Sequence, residues 1–326
     1  MKKLAIFILV FFVGFSGFLF GCKNNNTIRI NEVTHSIFYA PLYVAINNGY
    51  FEEYGYKIEL TNGGGSDASM TALLSGSADI ALMGPETGVY VNAGGKQNAP
   101  IIFGQLTKRD GSFLVGKVNE TDFKWTNLKN KHVIAGRKGG SPAMSLQYAL
   151  EKNGLNITED LNFDLSVSFN NTVGAFTGGS ADYVTVFEPT ASDLVRNNKG
   201  FIVASVGSEA GEIPFTCFSA NKSYIEKNET KIENFLKAIK KAYNFIMNSD
   251  INDVVNSLRP SFSTSTDESI KSSIESYKRI DAWCSSPVMT EQSYNRLLDM
   301  LIGAGEVNQR VEMSKVVDNS IASKIA

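Results

Sequence analysis

Two similar stretches of the chain decide the fold. Ala72–Glu86 has the sequence ALLSGSADIALMGPE, and Ala175–Pro189 has the sequence AFTGGSADYVTVFEP. Their shared Gly-Ser-Ala-Asp recurs at a constant offset (182 − 79 = 103). In each copy a helix ends at glycine, an aspartate leads a short apolar strand, and a turn with Glu and Pro follows. The two copies therefore predict equivalent units in two similar lobes.

Strands and helices alternate on both sides of these units. In the first lobe Thr27–Thr34, Tyr56–Leu60 and Pro100–Leu106 predict strands, and Pro41–Asn48 predicts a helix. In the second lobe further strands are expected at His132–Ala135, Phe163–Ser168, Tyr183–Val186 and Phe201–Ser205. This alternation indicates βαβ units, and hence an α/β fold of two Rossmann-like lobes.

The chain is expected to cross between the lobes twice, near Ser112–Gly116 and near Gly211–Ala220. Two crossings predict a two-strand hinge. The predicted division gives lobe 1 residues 27–118 and 209–326, and lobe 2 residues 119–208. The C-terminal region is predicted to be helical and to cover lobe 1, with helices at residues 232–246, 267–280 and 291–302.

The N-terminus carries the features of an export signal. Lys2 and Lys3 precede the apolar run Leu4–Phe20, which ends in Gly21 and Cys22. An uncleaved membrane helix is the alternative, because the run approaches the lower spanning limit of about 17 residues. The segment before Cys22 resembles the lipobox of bacterial lipoproteins. That resemblance implies a signal peptide at residues 1–21, a lipid-anchored tether at 22–26 and a location on the outer face of the cell membrane.

Composition limits the other classes of function. A net charge of −2 gives no electrostatic argument for a nucleic-acid partner. The chain has only two histidines and no Cys-x-x-Cys, so no metal site is predicted. Cys217 and Cys284 are either paired or free thiols, and both alternatives stay open. No nucleophile–base pair or cofactor motif can be assembled, so neither catalysis nor a cofactor is expected.

Candidate ligand-binding residues follow from the expected sheets, because ligands bind beyond the carboxyl ends of strands in open α/β sheets. Arg137 to Ser141 opens a helix and suits an anion or a polar oxygen, or is an ordinary turn. Glu86 and Glu188 suit an amine, an amidine-like ring edge or hydroxyls, or are residues favoured by a helix dipole. The predicted set is His35, Phe38, Tyr39, Gly64, Ser66, Gly84, Glu86, Arg137, Gly140, Ser141, Phe187 and Glu188.

Several motifs give the chain a family resemblance. Residues 38–51 (FYAPLYVAINNGYF), 55–59 (GYKIE), the Gly-Ser-Ala-Asp strand and 127–133 (NLKNKHV) resemble the solute-binding proteins of nitrate/sulfonate/taurine-type ABC importers. Their superfamily includes binding proteins for the thiamine pyrimidine precursor and the fungal pyrimidine synthases. The resemblance implies a type II periplasmic-binding fold that closes on a small-molecule ligand. It also implies ABC importer permease subunits as partners and a monomeric protein.

Two departures from the superfamily bear on function. Phe38 and Tyr39 occupy the place where the pyrimidine-binding branch commonly has an Asn-His pair. The cysteine-rich motif and reactive histidine of the fungal synthases are absent from the sequence. With Glu86 and Glu188 expected on facing walls, the favoured ligand is an amino-bearing heterocycle such as a thiamine pyrimidine precursor. A sulfonate or other oxyanion held by Arg137 and Ser141 is the alternative, and an enzyme or a surface adhesin on the same fold is a distant one.

Overall fold

A computed structural model of the protein describes residues 26–168 and 171–325, which form two five-stranded sheets. The strands of the first sheet are β1 (Thr27–Glu32), β2 (Lys57–Asn62), β3 (Ile80–Met83), β4 (Ile101–Thr107) and β10 (Thr216–Ala220). The strands of the second sheet are β5 (Ser112–Gly116), β6 (His132–Ile134), β7 (Asn162–Asp164), β8 (Tyr183–Phe187) and β9 (Phe201–Ser205). The prediction of an α/β fold with two lobes is confirmed.

The two sheets share one topology. The first has the spatial order β2-β1-β3-β10-β4, and the second has the order β7-β6-β8-β5-β9. In each sheet the fourth strand is antiparallel to both of its neighbours. These fourth strands, β5 and β10, are the first strands that the chain forms after it passes from one lobe to the other. The crossings therefore lie between Thr107 and Ser112 and between Ser205 and Thr216. Since β5 belongs to the second sheet, lobe 2 begins ahead of the predicted boundary at Asn119.

The repeated aspartates have the same role in both lobes. Asp79 accepts a hydrogen bond from the backbone N–H of Arg29 at 2.9 Å, and its own N–H donates to the Arg29 carbonyl. Asp182 makes the same pair of bonds with His132, again at 2.9 Å. The two partners are separated by the offset of the motif (132 − 29 = 103). Each aspartate therefore leads the central strand of its sheet and joins it to the neighbouring parallel strand, β1 in lobe 1 and β6 in lobe 2.

Helices surround both sheets. In lobe 1 these are α1 (Ala40–Asn47), α2 (Ser66–Ser75) and α3 (Glu86–Ala93), and in lobe 2 they are α4 (Ser141–Lys152), α5 (Thr172–Gly178), α6 (Thr190–Arg196) and α7 (Val206–Ala210). The C-terminal helices are α8 (Lys222–Lys227), α9 (Glu229–Asn248), α10 (Ile251–Leu258), α11 (Asp267–Arg279) and α12 (Glu291–Gly303). No helix within residues 26–168 or 171–325 has the length and apolar character to cross a membrane.

The C-terminal helices contact both lobes rather than lobe 1 alone. The α9 and α10 helices pack on α1, as expected, but α11 also contacts α6 and α12 contacts α4. Tyr277 of α11 accepts a hydrogen bond from the backbone N–H of Glu188 at 2.9 Å. Met300 of α12 accepts one from Ser145 of α4 at 3.7 Å. This region therefore links the two lobes, and Ala282 also accepts a hydrogen bond from the Lys108 N–H at the first strand crossing.

The cysteines at the two edges of β4 are both free. Cys217 pairs with Gln105 on one edge, and the N–H of Cys284 donates to the Leu106 carbonyl on the other. Because β4 lies between them, the two backbones are about two strand spacings apart, roughly 10 Å. That distance exceeds the reach of a disulfide, about 7 Å between Cα atoms. Of the two alternatives, free thiols are the observed state.

Candidate ligand-binding site

A cavity of about 210 Å³ lies between the lobes, at the carboxyl ends of the parallel strands. Lobe 1 contributes five of the predicted residues to its wall, namely Tyr39, Gly64, Ser66, Gly84 and Glu86. Lobe 2 contributes four, namely Arg137, Gly140, Ser141 and Phe187. The volume is below the roughly 300–1,000 Å³ of pockets for drug-sized molecules. A ligand held here is therefore small.

Glu86 is the buried acidic group of this cavity. It is the first residue of α3 and is 2% exposed. Its carboxylate accepts a hydrogen bond of 2.7 Å from the Ser141 hydroxyl, at the start of α4 in the other lobe. The Ser66 hydroxyl bonds to the same carboxyl group and accepts the Gly84 N–H at 3.2 Å. Hydroxyls from both lobes thus fix the position of one carboxyl group.

Gly84 makes room for this arrangement. The Glu86 side chain folds back over the preceding turn, so a Cβ added at Gly84 would lie 2.0 Å from a Glu86 carboxylate oxygen. Such a contact is impossible without moving the carboxyl group. The glycine is therefore required by the side chain that it accommodates and not by an unusual φ angle.

Burial raises the pKa of Glu86 above its ordinary value. The hydrogen bond from Ser141 and the charge of Arg137 oppose that rise and do not cancel it. Removing a carboxylate from water disfavours its charged form unless a cation compensates. The nearest compensating cation, Arg137, has a half-exposed side chain and donates instead to Asp67 at 3.2 Å. The site thus favours the neutral acid relative to a glutamate in water.

The segment Arg137–Ser141 holds the lobes together over the cavity. Three of its members contact lobe 1: Arg137 binds Asp67, the Gly139 carbonyl accepts from Tyr90 at 3.3 Å, and Ser141 binds Glu86. The first two contacts lie at the rim and the third lies inside. In the turn that was predicted to bind an anion, Arg137 and Ser141 are thus hydrogen-bonded to residues of lobe 1.

Glu188 does not line the cavity, which corrects the expectation that it faces Glu86. Its carboxylate accepts from both the backbone N–H and the hydroxyl of Ser192, at 2.9 and 2.8 Å. It therefore binds the first turn of α6, which is the other role that the sequence allows. The reason is position: Glu86 is the first residue of α3, whereas Glu188 precedes Pro189, the N-cap of α6.

His35 and Phe38 also lie outside the cavity wall. His35 bonds to Glu32 at 3.0 Å and to the Ser261 carbonyl at 2.8 Å, and it stacks on Phe262. The hydrogen bond to Glu32 raises the pKa of His35. Phe38 is fully buried and packs against Tyr39, Phe187, Phe215 and Tyr277. Phe38 therefore packs behind the wall residues Tyr39, Phe187 and Phe215, whereas His35 binds residues outside the wall.

Sequence reasoning missed several wall residues. Thr172, Thr185, Phe215 and Thr216 line the cavity but were not predicted. A signal was present for one of them, because Thr185 is a hydroxyl residue inside an otherwise apolar, largely buried strand. The Thr216 side chain bonds to the Tyr39 phenol. Among the described residues no cluster of His, Cys, Asp and Glu could hold a metal ion.

Comparisons with known proteins agree with this architecture. The model of the NMT1-like family matches residues 33–258. A Bacillus subtilis (strain 168) protein named "Putative binding protein YtlA" is 38% identical over 310 residues, which cover 94% of this chain and 93% of that protein. The periplasmic aliphatic sulphonate binding protein SsuA from Escherichia coli has a similar structure (TM-score 0.73, 18% identity, 90% of this chain and 92% of that chain). So has the periplasmic nitrate-binding protein NrtA from Synechocystis PCC 6803 (TM-score 0.68, 16% identity, 92% and 89%).

Proposed function

The chain belongs to the NMT1-like family, and we propose that it is the extracytoplasmic substrate-binding protein of an ABC importer. The fold, shared with SsuA and NrtA, is the periplasmic-binding fold. The observation that carries the proposal is the cavity between the lobes, whose wall and closing contacts come from both of them. A ligand that contacts both lobes at once favours the closed form, which a permease can then distinguish from the open one.

The ligand that we favour is a small organic molecule with hydrogen-bond donors, such as an amino-bearing heterocycle of the thiamine-precursor type. The buried Glu86 supplies an acceptor, and the hydroxyls of Ser66 and Ser141 flank it. The rings of Tyr39 and Phe187 line the same cavity and offer flat apolar surfaces. A pocket of this kind, mostly apolar with a few convergent polar groups, orients a flat ligand by its polar edge.

The alternative is a sulfonate or other oxyanion. It is favoured by Arg137, which lines the cavity at the start of α4, and SsuA and NrtA bind a sulphonate and nitrate by name. Two observations weigh against it. Arg137 already donates to Asp67, and the buried Glu86 supplies no positive charge to an anion and would repel it whenever it ionises.

A thermal-shift screen of the purified protein tests the binding role. The compounds are amines, amino-heterocycles, sulfonates and amino acids. A ligand present at 100 times its Kd stabilises the folded form by about 2.7 kcal/mol, which is readily seen as a higher melting temperature. We expect a shift from the amino-heterocycles. A shift from sulfonates alone would support the alternative, and no shift from any class would contradict a transport role.

The membrane anchor is a separate proposal, because Cys22 and the signal peptide lie outside the described residues. We propose that Cys22 carries the lipid and that the mature monomer meets its permease at the membrane surface. Two or more acyl chains hold a protein firmly, since each buried CH₂ adds about 0.8 kcal/mol. Cys22→Ser should release the protein into the soluble fraction, and a variant that sediments with membranes as before would refute the lipidation.

A further inference from the structure

The carboxyl group of Glu86 lacks a charged partner. In the described part of the chain no lysine, arginine or histidine forms an ion pair with it, and its bonding partners are its own backbone N–H and the hydroxyls of Ser66 and Ser141. A buried carboxyl group without a cation destabilises the fold, since either its charge or its proton must be accommodated away from water. The cavity thus contains a carboxyl group that is costly to bury. This group lines the space in which a ligand would lie.

The surroundings hold this group in place instead of neutralising it. Gly84 leaves the space that the folded-back side chain needs, and Ser66 and Ser141 fix its oxygens from the two lobes. If binding required only a hydroxyl contact, the serines and threonines of the wall would supply it without a buried acid. The arrangement is therefore specific for a ligand that needs a carboxylate.

The charged and titratable groups around Glu86 come from five neighbouring segments, with Asp67 on α2 among them. Arg137 from the β6–α4 segment lowers the pKa of Glu86, but Asp67 shares the charge of that arginine. The other titratable groups near Glu86 are Tyr39 before α1, Tyr90 on α3 and Cys217 on β10. Burial raises the pKa of each of them, so all three are uncharged at neutral pH. Glu86 is thus the group in this cavity whose charge a bound cation would change.

Building on the proposed function, we propose that the ligand is a flat monocation, of the amidinium or aminopyridinium class, that binds to Glu86 in exchange for one proton. The N–H groups of the ligand donate to the Glu86 carboxylate, while its ring lies among Tyr39, Phe187 and Phe215. The proton of the neutral acid leaves to solvent, so the cavity has the same net charge before and after binding. A neutral analogue of the same shape lacks this exchange and binds more weakly.

Isothermal titration calorimetry on the purified protein tests this proposal. The probes are benzamidine and 4-aminopyridine as cations, benzamide as a neutral analogue and benzenesulfonate as an anion. Each is titrated in two buffers of different ionisation enthalpy and over a series of pH values. We expect the cations to bind best and to release up to one proton. Their affinity should rise by up to about tenfold per pH unit below the pKa of Glu86 and level off above it.

Variants separate this mechanism from general binding. Glu86→Gln should lower the affinity for the cations at least about 30-fold, because a desolvated charge pair is lost. It should also remove the pH dependence of that affinity. Ser141→Ala removes a bond that lowers the pKa of Glu86, so it should move the pH midpoint upward even if Glu86→Gln fails to fold. Glu275→Gln, at an exposed position on α11, is the matched control and should change neither the affinity for the cations nor its pH midpoint.

Each other outcome is decisive. Cation binding without proton release, or with equal affinity in Glu86→Gln, overturns the proposal. Binding of benzamide or benzenesulfonate in preference to both cations also overturns it, but leaves the role as a binding protein intact. If no cation binds, the monocation class is excluded, and the broader thermal-shift screen then decides separately whether the protein binds a ligand at all.

Discussion

Asp79→Asn should destabilise the protein more than Asp182→Asn, although the two aspartates lead equivalent strands. Asp79 accepts three hydrogen bonds from Arg29: one from its backbone N–H, one from Nε at 3.1 Å and one from Nη2 at 2.6 Å. Asp182 accepts its bond from the backbone of His132. Asparagine keeps the shape of the side chain and one acceptor oxygen, but it loses the charge. The comparison therefore isolates the contribution of the ion pair.

The structure sets the size of the expected difference. Hydrogen bonds that involve charged groups contribute about 1.5–3 kcal/mol, and neutral ones about 1 kcal/mol. The side chains of Arg29 and Asp79 are 35% and 16% exposed, so solvent screening reduces the value for their pair. We expect a loss of about 2 kcal/mol in the free energy of unfolding for Asp79→Asn. For Asp182→Asn we expect about 1 kcal/mol or less.

The pH dependence of the difference identifies its cause. Burial acts to raise the pKa of Asp79, but the hydrogen bonds and charge of Arg29 outweigh it, so the pKa lies below its ordinary value of 3.8. A depressed pKa gives stability that is present above the unfolded-state value and lost as pH falls through the folded-state value. In urea unfolding, the gap between wild type and Asp79→Asn should therefore close in acid. Equal losses in the two variants at neutral pH, or a gap that persists in acid, would refute the reasoning.

Two further predictions concern the glutamates that follow the repeated strands. Gly84→Ala should reduce ligand affinity at least about tenfold, because the added Cβ forces the Glu86 carboxyl group out of its position; unchanged affinity in calorimetry would show that this position is unimportant. Glu188→Gln should leave affinity nearly unchanged but lower stability by about 1 kcal/mol, since its charge-assisted bonds to Ser192 weaken. A large loss of affinity with intact stability would place Glu188 at the ligand after all.

The two-lobed architecture could be predicted from the sequence because it depends on local patterns that repeat. An aspartate at the head of an apolar strand has one stable arrangement, bonding to the backbone of the neighbouring strand, and the chain uses it at both Asp79 and Asp182. The start of lobe 2 was harder to place. The β5 strand is buried throughout, and nothing in its sequence shows which sheet it joins. Pairing between distant segments decides that, and one sequence does not display it.

The candidate site was predictable as a set of positions and less so as a set of orientations. Nine of the predicted residues, at or after strand ends, lie in the cavity wall, and their role in ligand binding stays a prediction. The direction of a side chain within such a turn depends on where the next helix begins. His35 follows a strand of lobe 1 in the same way, yet its ring binds Glu32 and the Ser261 carbonyl more than 200 positions along the chain. Contacts of that range come from the packing of α10 against α1, which sequence spacing does not reveal.

The divergence of the two repeats explains how a symmetric fold has an asymmetric site. After β3 the sequence is Gly-Pro-Glu, so the acid becomes the first residue of α3 and folds back over a glycine into the cavity. After β8 the order is Glu-Pro, so the acid precedes the N-cap and binds its own helix. Phe187 then presents an aromatic ring to the cavity beside that turn. Among the wall residues only lobe 1 thus supplies a carboxyl group, whereas both lobes supply hydroxyl and aromatic groups, so the two similar lobes present different chemistry to one ligand.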